Sequence, residues 1–244
     1  MIQGIDISNC QSVINWQKVA ASGQVNFAIC KATEGPKYTD SEFKNNWNGI
    51  KNVGLLRGAY HFAYASQDPI IQADHFVSTV GQLDPTDTLT LDLENSSITG
   101  HQFTDWALSW LERVESLTGC IPILYTGGPF FNSHDGNPDA DTIQRLLRFP
   151  LWLACYVQNP EIYVPEIWKN AGLSWTIWQR SGNFAAHGDT PLYVPGIPTV
   201  VDRDIFRGSL EEMVAFALNL HSAQSNSTST SVDILTGALD SDQS

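Results

Sequence analysis

The sequence predicts an α/β fold, a modified and incomplete (β/α)8 TIM-like barrel with eight strands and about five helices. Short apolar runs alternate with stretches whose apolar residues recur every three or four positions. With 244 residues the chain is long enough for one large barrel or for two small domains. The repeated strand-then-helix order favours the barrel.

Each predicted element has local signals at its ends. Glycines at 23, 54 and 119 end three helices, Asp40 and Ser209 are N-cap residues, and Pro69 suits a first helical position. Helical signals are nearly missing between the sixth and eighth strands, and residues 132–141 have the composition of a loop. The predicted strands are 4–8, 27–35, 57–64, 89–95, 121–126, 150–156, 175–179 and 200–206, and the predicted helices are 13–21, 40–53, 69–80, about 100–118 and 209–220.

The fourth predicted strand, L-T-L-D-L-E-N at 89–95, carries two carboxylates two positions apart. On a strand such residues share one face, with alpha carbons roughly 6.6 Å apart, and the three leucines share the other. The leucine face must be covered, which favours a buried parallel strand over a solvent-facing one. Because each carboxylate raises the pKa of the other, one of Asp92 and Glu94 tends to stay protonated, as in the working pair of a glycosidase.

More acids lie near predicted strand ends: Asp6 in the first strand, Glu34 in the second and Asp202 in the eighth. The carboxyl ends of parallel strands meet at one face of a barrel, so we expect these acids to join Asp92 and Glu94 there. Aromatic rings stack on pyranose rings and carboxylates transfer protons, so the pattern favours a sugar site. The side chains expected to surround the acids are Tyr60, Tyr125, Trp152, Tyr156, Trp178 and Gln179.

Two further expectations concern the second and third strands. Alternation puts Ala28, Cys30, Ala32 and Glu34 on one face, which suggests small residues filling the barrel interior. His61 is either a general base or, as is commoner for a lone strand histidine, a hydrogen-bonded structural residue.

Composition excludes several classes of protein. The net charge of −13 disfavours a nucleic-acid partner and also unaided binding to an anionic envelope. No apolar run of 18 residues and no basic-plus-apolar leader occurs, so we expect neither membrane insertion nor a signal peptide in this chain. The four cysteines are scattered and predict free thiols. No phosphate loop, H-E-x-x-H or G-x-S-x-G occurs, and we expect no metal and no organic cofactor.

The carboxyl-terminal residues differ in composition from the rest. Six of the nine residues at 223–231 are Ser or Thr, and no Lys or Arg follows Arg207. We therefore expect a catalytic barrel over residues 1–222 and a flexible linker with an acidic, disordered tail over residues 223–244.

Eight short segments together resemble the lysozymes of glycoside hydrolase family 25, the Chalaropsis-type muramidases. Each segment is weak alone, but they occur in the order of that family and span residues 1 to about 220. The segments are G-I-D-I-S at 4–8, K-A-T-E-G at 31–35, R-G-A-Y-H-F at 57–62, L-D-L-E at 91–94, I-L-Y-T at 123–126, L-W-L-A-C-Y at 151–156, I-W-Q at 177–179 and V-D-R-D-I-F at 201–206.

The resemblance implies a role for each acid. Glu94 is implied to protonate the leaving glycosidic oxygen, and Asp92 to polarise the 2-acetamido group or hold the reacting centre. Asp6 and Asp202 are implied to position water or stabilise charge. Implied cleft contacts are Glu34, Tyr60, Tyr125, Tyr156 and Gln179. The chain departs from the family pattern in Cys10, where an aromatic is common, and in Arg203-Asp204, where a neutral pair is usual.

The implied reaction is hydrolysis of the β-1,4 bond between N-acetylmuramic acid and N-acetylglucosamine in bacterial peptidoglycan. We expect a monomer that acts on the cell wall, released by lysis as phage endolysins are or secreted with its leader already removed. Carboxylates about 5–5.5 Å apart favour retention and about 6.5–9.5 Å favour inversion, and the D-x-E spacing leaves both open, as well as assistance by the acetamido group.

Two other functions remain as alternatives. One is a catalytically silent peptidoglycan-binding barrel that keeps the sugar-recognition surface. The other is a chitinase-like hydrolase, whose D-x-x-D-x-D-x-E pattern is disfavoured because residues 87–94, D-T-L-T-L-D-L-E, lack its second acid.

Overall fold

A closed barrel forms the centre of the computed structural model, which describes residues 1–182, 185–186 and 193–222. Eight strands make its wall, and two strands of two residues, β3 and β9, pair outside that path. The strands are β1 (Ile2–Ile7), β2 (Phe27–Glu34), β3 (Tyr38–Thr39), β4 (Leu56–Phe62), β5 (Thr88–Asp92), β6 (Ile123–Gly127), β7 (Leu151–Ala154), β8 (Ile177–Gly182), β9 (Ala185–Ala186) and β10 (Asp202–Phe206). The predicted eight-stranded barrel is confirmed.

The last strand runs against its neighbours. The order around the barrel is β1-β10-β8-β7-β6-β5-β4-β2, and β2 pairs back onto β1. Pairs from β1 through β2 to β8 are parallel, whereas β10 is antiparallel to both β8 and β1. The expectation that every strand is parallel is therefore wrong for β10. Its amino end, not its carboxyl end, lies beside the carboxyl ends of the others.

Helices cover the outside of the barrel, and the described residues contain eight α-helices where the sequence predicted about five. They are α1 (Trp16–Ala21), α2 (Phe43–Asn52), α3 (Pro69–Val80), α4 (His101–Thr118), α5 (Gly128–His134), α6 (Ala140–Leu147), α7 (Glu166–Asn170) and α8 (Leu210–Ser222). None of these helices is long and apolar enough to cross a lipid bilayer.

The helices that the sequence analysis missed are short. The predicted loop at 132–141 is in fact the end of α5, a turn, and the start of α6, whose N-cap Asp139 accepts a hydrogen bond from the Thr142 amide at 2.8 Å. Helices α5, α6 and α7 have seven, eight and five residues, too few to show a helical period.

His61 points outward from β4 and lies between two helices. Its ring stacks on Trp110 of α4 and packs against Phe76 of α3. Nδ1 is 2.8 Å from Thr33 Oγ1 and Nε2 is 3.0 Å from Gln72 Oε1. Burial lowers the pKa of His61 to about 3, so the ring stays neutral. It is a structural residue and not a general base.

The face of β2 that points into the barrel is the opposite of the one that the sequence analysis predicted. Ala28 pairs with Arg57 and Cys30 with Ala59, and Arg57 packs against α2, so the small residues face the helices. Ile29 and Lys31 face inward instead. The β2–β4 register then shifts between Lys31 and Thr33. This β-bulge returns Glu34 to the inner side, where alternation alone would turn it outward.

A buried ion pair fixes the helical layer to the barrel. Arg57 donates to both carboxylate oxygens of Asp87, at 2.7 and 2.8 Å, and stacks on Trp47 of α2 with 3.8 Å between the guanidinium carbon and the ring centroid. Its other donors reach the Trp47 carbonyl oxygen and Asp84. Both Arg57 and Asp87 are buried.

We expect Asp87→Ala to lower the free energy of unfolding by about 3–5 kcal/mol, because it leaves the buried Arg57 without its main partner. The matched control is Asp74→Ala, which breaks the half-exposed pair with Arg113 and should cost less than about 1 kcal/mol. Urea denaturation at pH 7 measures both. Equal losses in the two variants would contradict the importance of the buried pair.

Candidate active site

A cleft opens at the end of the barrel where the carboxyl ends of the parallel strands meet. Its lining is mostly polar, with four carboxylates, three tyrosines and one lysine. The lining residues are Asp6, Ile7, Ser8, Cys10, Gln11, Lys31, Tyr60, Phe62, Asp92, Glu94, Tyr125, Trp152, Tyr156, Gln179 and Asp202. Every side chain that the sequence analysis expected at the site is in this set except Glu34 and Trp178.

The four carboxylates come from three strands and one strand exit. Asp6 of β1 pairs directly with Asp202 of β10, which is possible because β10 is antiparallel and begins at the cleft. Asp92 is the last residue of β5, and Glu94 follows two residues later. The structure therefore brings together four of the five acids that the sequence analysis expected, all but Glu34, and Asp202 lies at the start of its strand and not at the end.

The backbone between Asp92 and Glu94 is held in place after β5 ends. The Leu93 amide donates to the Tyr125 carbonyl at 2.9 Å, and Thr126 Oγ1 donates to the Leu93 carbonyl at 2.8 Å. Leu93 itself is fully buried. These contacts keep both carboxylates on the cleft side even though Glu94 lies outside the strand.

Gln179 connects the two sides of the cleft. Its Nε2 donates to Asp6 Oδ2 at 2.8 Å, and its Oε1 accepts from the hydroxyls of Tyr125 and Tyr156 at 2.9 and 3.0 Å. The amide oxygen thus has two donors, and the residue is only 3% exposed. Gln179, expected to contact substrate, is instead committed to holding Asp6 and the two tyrosines.

Glu34 lies behind the cleft and not in its lining. Lys31 Nζ is 2.5 Å from Glu34 Oε2 and 4.8 Å from the centroid of the Phe62 ring. The Tyr64 hydroxyl donates to the other oxygen of Glu34. These two donors hold the pKa of Glu34 below its usual value despite partial burial. Glu34 therefore positions Lys31, the one basic side chain that the described residues contribute to the cleft lining.

The two acids of the D-x-E segment differ in environment. Burial raises the pKa of Asp92 well above its ordinary value, Glu94 raises it further and Lys31 opposes the rise. Desolvation also raises the pKa of Glu94, against a long 3.5 Å hydrogen bond from the Tyr125 hydroxyl. Asp92 is buried, whereas Glu94 is exposed at the rim with its carboxyl group turned into the cleft. In the free cleft, the buried partner has the more perturbed pKa.

The sequence analysis missed several side chains at or near the cleft. Lys31 and Phe62 lie in two of the segments that carry the family resemblance, but the sequence analysis predicted no role for either residue. Because β2 contains a bulge, alternation alone did not predict that Lys31 points inward. Asp204 lies beneath Asp6, and its spacing from Asp202 was the available signal. Trp178, expected at the cleft, faces outward and donates to the Cys155 carbonyl at 2.7 Å.

Among the described residues, no group of three or more His, Cys, Asp or Glu side chains is arranged to hold a metal ion. Of the four cysteines, Cys10 is exposed and Cys30, Cys120 and Cys155 are buried, and all four are free thiols.

Carboxylates of unequal proton affinity, grouped with tyrosines at the mouth of a barrel, are typical of a glycoside hydrolase. The model of the family described as "Glycosyl hydrolases family 25" matches residues 5–189, and the chain belongs to that family.

Relatives and solved structures agree with this assignment. YegX of Escherichia coli (strain K12), described as uncharacterized, is 34% identical over 220 residues, covering 88% of this chain and 73% of that protein. Lysozyme M1 of Streptomyces globisporus is 31% identical over 230 residues, covering 89% and 72%. The crystal structure of the bacterial lysozyme from Streptomyces coelicolor is similar with a TM-score of 0.74 and 30% identity, covering 90% of this chain and 98% of that one. The chain is thus a glycoside hydrolase of the muramidase type.

We expect Gln179→Leu to reduce kcat about tenfold or more, because Asp6 and the two tyrosines lose their shared partner while the side-chain size is kept. The matched control is Gln72→Leu, a buried glutamine that bonds His61 away from the cleft. Both variants should lose stability, but only Gln179→Leu should lose more activity than its folded fraction explains. Equal activity per folded molecule in the two variants would contradict this role.

Stability should depend on pH in a direction set by the buried acids. Burial raises the pKa values of Asp6, Asp92 and Asp204 in the folded state, so their contribution is complete below the unfolded pKa and is lost as pH rises through the folded values. The pKa values of Glu34 and Glu161 are lowered in the folded state, so their contribution to stability is present at higher pH and is lost as pH falls through those values. We expect the free energy of unfolding to be largest at roughly pH 4–6 and to fall towards neutrality.

Urea denaturation across this pH range measures the profile, with Asp92→Asn as the comparison variant. Removing one of the buried acids should flatten the fall above pH 6. Stability that rises steadily up to pH 8 in the unmodified protein would contradict the proposed cause.

Proposed function

We propose that the protein is a lysozyme that hydrolyses the β-1,4 bond between N-acetylmuramic acid and N-acetylglucosamine in bacterial peptidoglycan. The observation that carries this proposal is the meeting of Asp92 and Glu94 with Asp6 and Asp202 in one open cleft. Lysozyme M1 of Streptomyces globisporus, whose similarity covers most of the chain, is named for the same activity.

Glu94 is the proposed proton donor to the leaving oxygen. It lies at the rim of the cleft, where a bound sugar chain displaces water from its carboxyl group. Since desolvation disfavours the charged form, substrate binding raises the pKa of Glu94 above its already raised value in the free cleft. Glu94 is therefore most fully protonated when the glycosidic oxygen lies next to it.

Asp92 is the proposed partner that acts on the reacting sugar. It lies deeper than Glu94, and its Oδ1 has no hydrogen-bond partner among the described residues. An N–H group of the substrate, such as that of a 2-acetamido group, is a suitable donor for this oxygen. In that position Asp92 orients the acetamido group or stabilises the positive charge that develops at the anomeric carbon.

Asp6 and Asp202 lie opposite each other on β1 and β10 and complete the acidic part of the cleft. We assign these two acids to positioning water or to stabilising charge. Tyr60, Tyr125 and Tyr156 are proposed to contact the sugar rings, with Tyr156 the most accessible at 39% exposed. Gly182 leaves room for the Tyr156 ring, because a Cβ there would lie 2.4 Å from its hydroxyl.

We further propose that residues 1–222 form the catalytic unit and that it works as a monomer on the bacterial cell wall. Residues 223–244, assigned to a linker and acidic tail, lie outside the described part of the chain. Release by lysis, as in phage endolysins, and secretion with removal of a leader are both compatible with action at the wall. The silent-module alternative requires an impaired cleft, yet all four acids line it.

We expect Glu94→Gln to reduce peptidoglycan hydrolysis by at least about 10³-fold with the fold intact, because glutamine fills the same space but has no proton to give. Asp92→Asn should be nearly as damaging. Release of reducing sugars from purified cell walls gives the rates, and mass spectrometry of the fragments identifies the sugar at the new reducing end.

The matched control is Glu34→Gln, since Glu34 lies near Lys31 but outside the cleft lining. Its rate should fall much less than that of Glu94→Gln. Substantial hydrolysis by Glu94→Gln would show that the donor is wrongly assigned. Binding to cell walls without new reducing ends would support the silent module, and cleavage of soluble chitin oligomers in preference to cell walls would support the chitinase-like alternative.

A further inference from the structure

Asp204 is a carboxylate in the barrel interior that the proposed reaction does not use. It has no solvent exposure and does not line the cleft. Trp152 Nε1 donates to its Oδ1 at 3.0 Å, whereas its Oδ2 has no hydrogen-bond donor among the described residues when all carboxyl groups are counted as ionised. A fully buried carboxylate oxygen without a hydrogen-bond donor lowers the free energy of unfolding, so we expect a neighbouring group to supply a donor.

That group is the carboxyl of Asp6. In the antiparallel pair of β1 and β10, Gly4 lies opposite Asp204 and Asp6 lies opposite Asp202. Asp6 and Asp204 are therefore diagonal neighbours on the same face, roughly 7–8 Å apart along the backbone and within reach of each other. Asp6 is thus the carboxyl group placed to face the unpartnered Oδ2 of Asp204, and two carboxyl groups can form a hydrogen bond only if one of them carries the proton.

The bonding of Asp6 fits the neutral form. Gln179 Nε2 donates to Asp6 Oδ2, so that oxygen acts as an acceptor. The orientation of Gln179 is fixed in turn by the Tyr125 and Tyr156 hydroxyls, which donate to its Oε1. A proton on the second oxygen of Asp6 supplies the donor that Asp204 Oδ2 lacks. All four carboxyl oxygens of the pair then face a polar partner or the cleft.

The surrounding charges favour one proton for two carboxyl groups. Burial raises the pKa values of both Asp6 and Asp204, and Asp202 raises both further. Arg203 lowers the pKa of Asp204 from the opposite face of β10. Among the described residues, other titratable or charged groups surround the pair on the neighbouring strands. They are Asp202 and Arg203 of β10, Asp92 of β5, Lys31 of β2, Tyr60 of β4, Tyr125 of β6, and Glu94 and Tyr156 beyond the ends of β5 and β7.

We propose that Asp204 is a positioning residue that shares one proton with Asp6 and holds Asp6 in its neutral form beside the reacting sugar. The negative charge of the pair then stays on Asp204, bonded to Trp152 and away from substrate. Asp6 offers the cleft a neutral carboxyl group in a fixed orientation. The effect on hydrolysis rests on the proposed function, whereas the shared proton does not.

The shared proton is tested by the carboxyl carbon resonances of the protein labelled with ¹³C-aspartate at pH 7. We expect a protonated-acid resonance that Asp6→Asn removes, and we expect Asp204→Asn to convert the Asp6 resonance to that of a carboxylate. Asp92→Asn identifies the separate signal of Asp92. A resonance of Asp6 that is ionised in the unmodified protein, or that stays protonated in Asp204→Asn, would overturn the proposal.

The matched control is Asp40→Asn, an equally buried aspartate whose oxygens accept the backbone amides of Asn9 and Glu42 at 2.9 Å. It should leave the Asp6 resonance unchanged. Loss of the protonated signal in this variant as well would show that it reports general loosening of the barrel and not the Asp204 contact, which would also overturn the proposal.

Activity gives a second readout. Asparagine at position 6 offers one acceptor and one donor as neutral Asp6 does, so Asp6→Asn should lose less of the hydrolysis rate than Asp6→Ala, which offers neither. Asp204→Asn should move both limbs of the pH–rate profile to higher pH by about half a unit or more, because the charge transferred to Asp6 lies closer to Asp92. A loss in Asp6→Asn as large as that in Asp6→Ala would overturn the neutral role. Failure of all variants and the unmodified protein to cleave cell walls would instead reject the proposed function, and the resonances would still decide the shared proton.

Discussion

The main physical constraint on this structure is the repulsion among carboxyl groups that the barrel encloses. Asp6, Asp92 and Asp204 are all buried, and within the described part of the chain no Arg or Lys side chain other than Lys31 lines the cleft above them. Such a group of acids is stable only if protons and hydrogen-bond donors replace the missing water. Gln179 and Trp152 supply such donors to Asp6 and Asp204 and partly offset the rise in pKa that burial and the neighbouring carboxylates cause.

The antiparallel last strand is the feature that makes this enclosure possible. A parallel eighth strand would present its carboxyl end at the cleft and carry Asp202 to the other end of the barrel. Because β10 runs the other way, Asp202 meets Asp6 at the cleft and Asp204 lies two residue pairs below, opposite Gly4. The absent side chain of Gly4 leaves space that the Phe27 ring fills, since a Cβ there would lie 2.2 Å from that ring. Strand direction, and not only the choice of residues, thus sets the depth of each acid.

The sequence predicted the barrel and the acids of the cleft because both depend on local patterns. Leu89, Leu91 and Leu93 alternate with Thr90 and Asp92, and that alternation is retained in the fold. The direction of β10 could not be read, because alternation is identical in either direction. The bulge after Lys31 shifts the faces of β2 by one residue and depends on pairing with β4, which a single segment does not encode. The engagement of Gln179 by three distant partners likewise appears only when the strands are assembled.

The direction of β10 also determines where the chain has freedom to vary. Gly182, the last residue of β8, and Asp202, the first of β10, both lie at the end of the barrel that opens to substrate. The chain therefore leaves and re-enters the barrel on the same side between these two strands, with no need to cross its full length. A change in the length of this connection therefore need not shift the register of any barrel strand, which makes the open end of the barrel a place where the chain tolerates insertions and deletions.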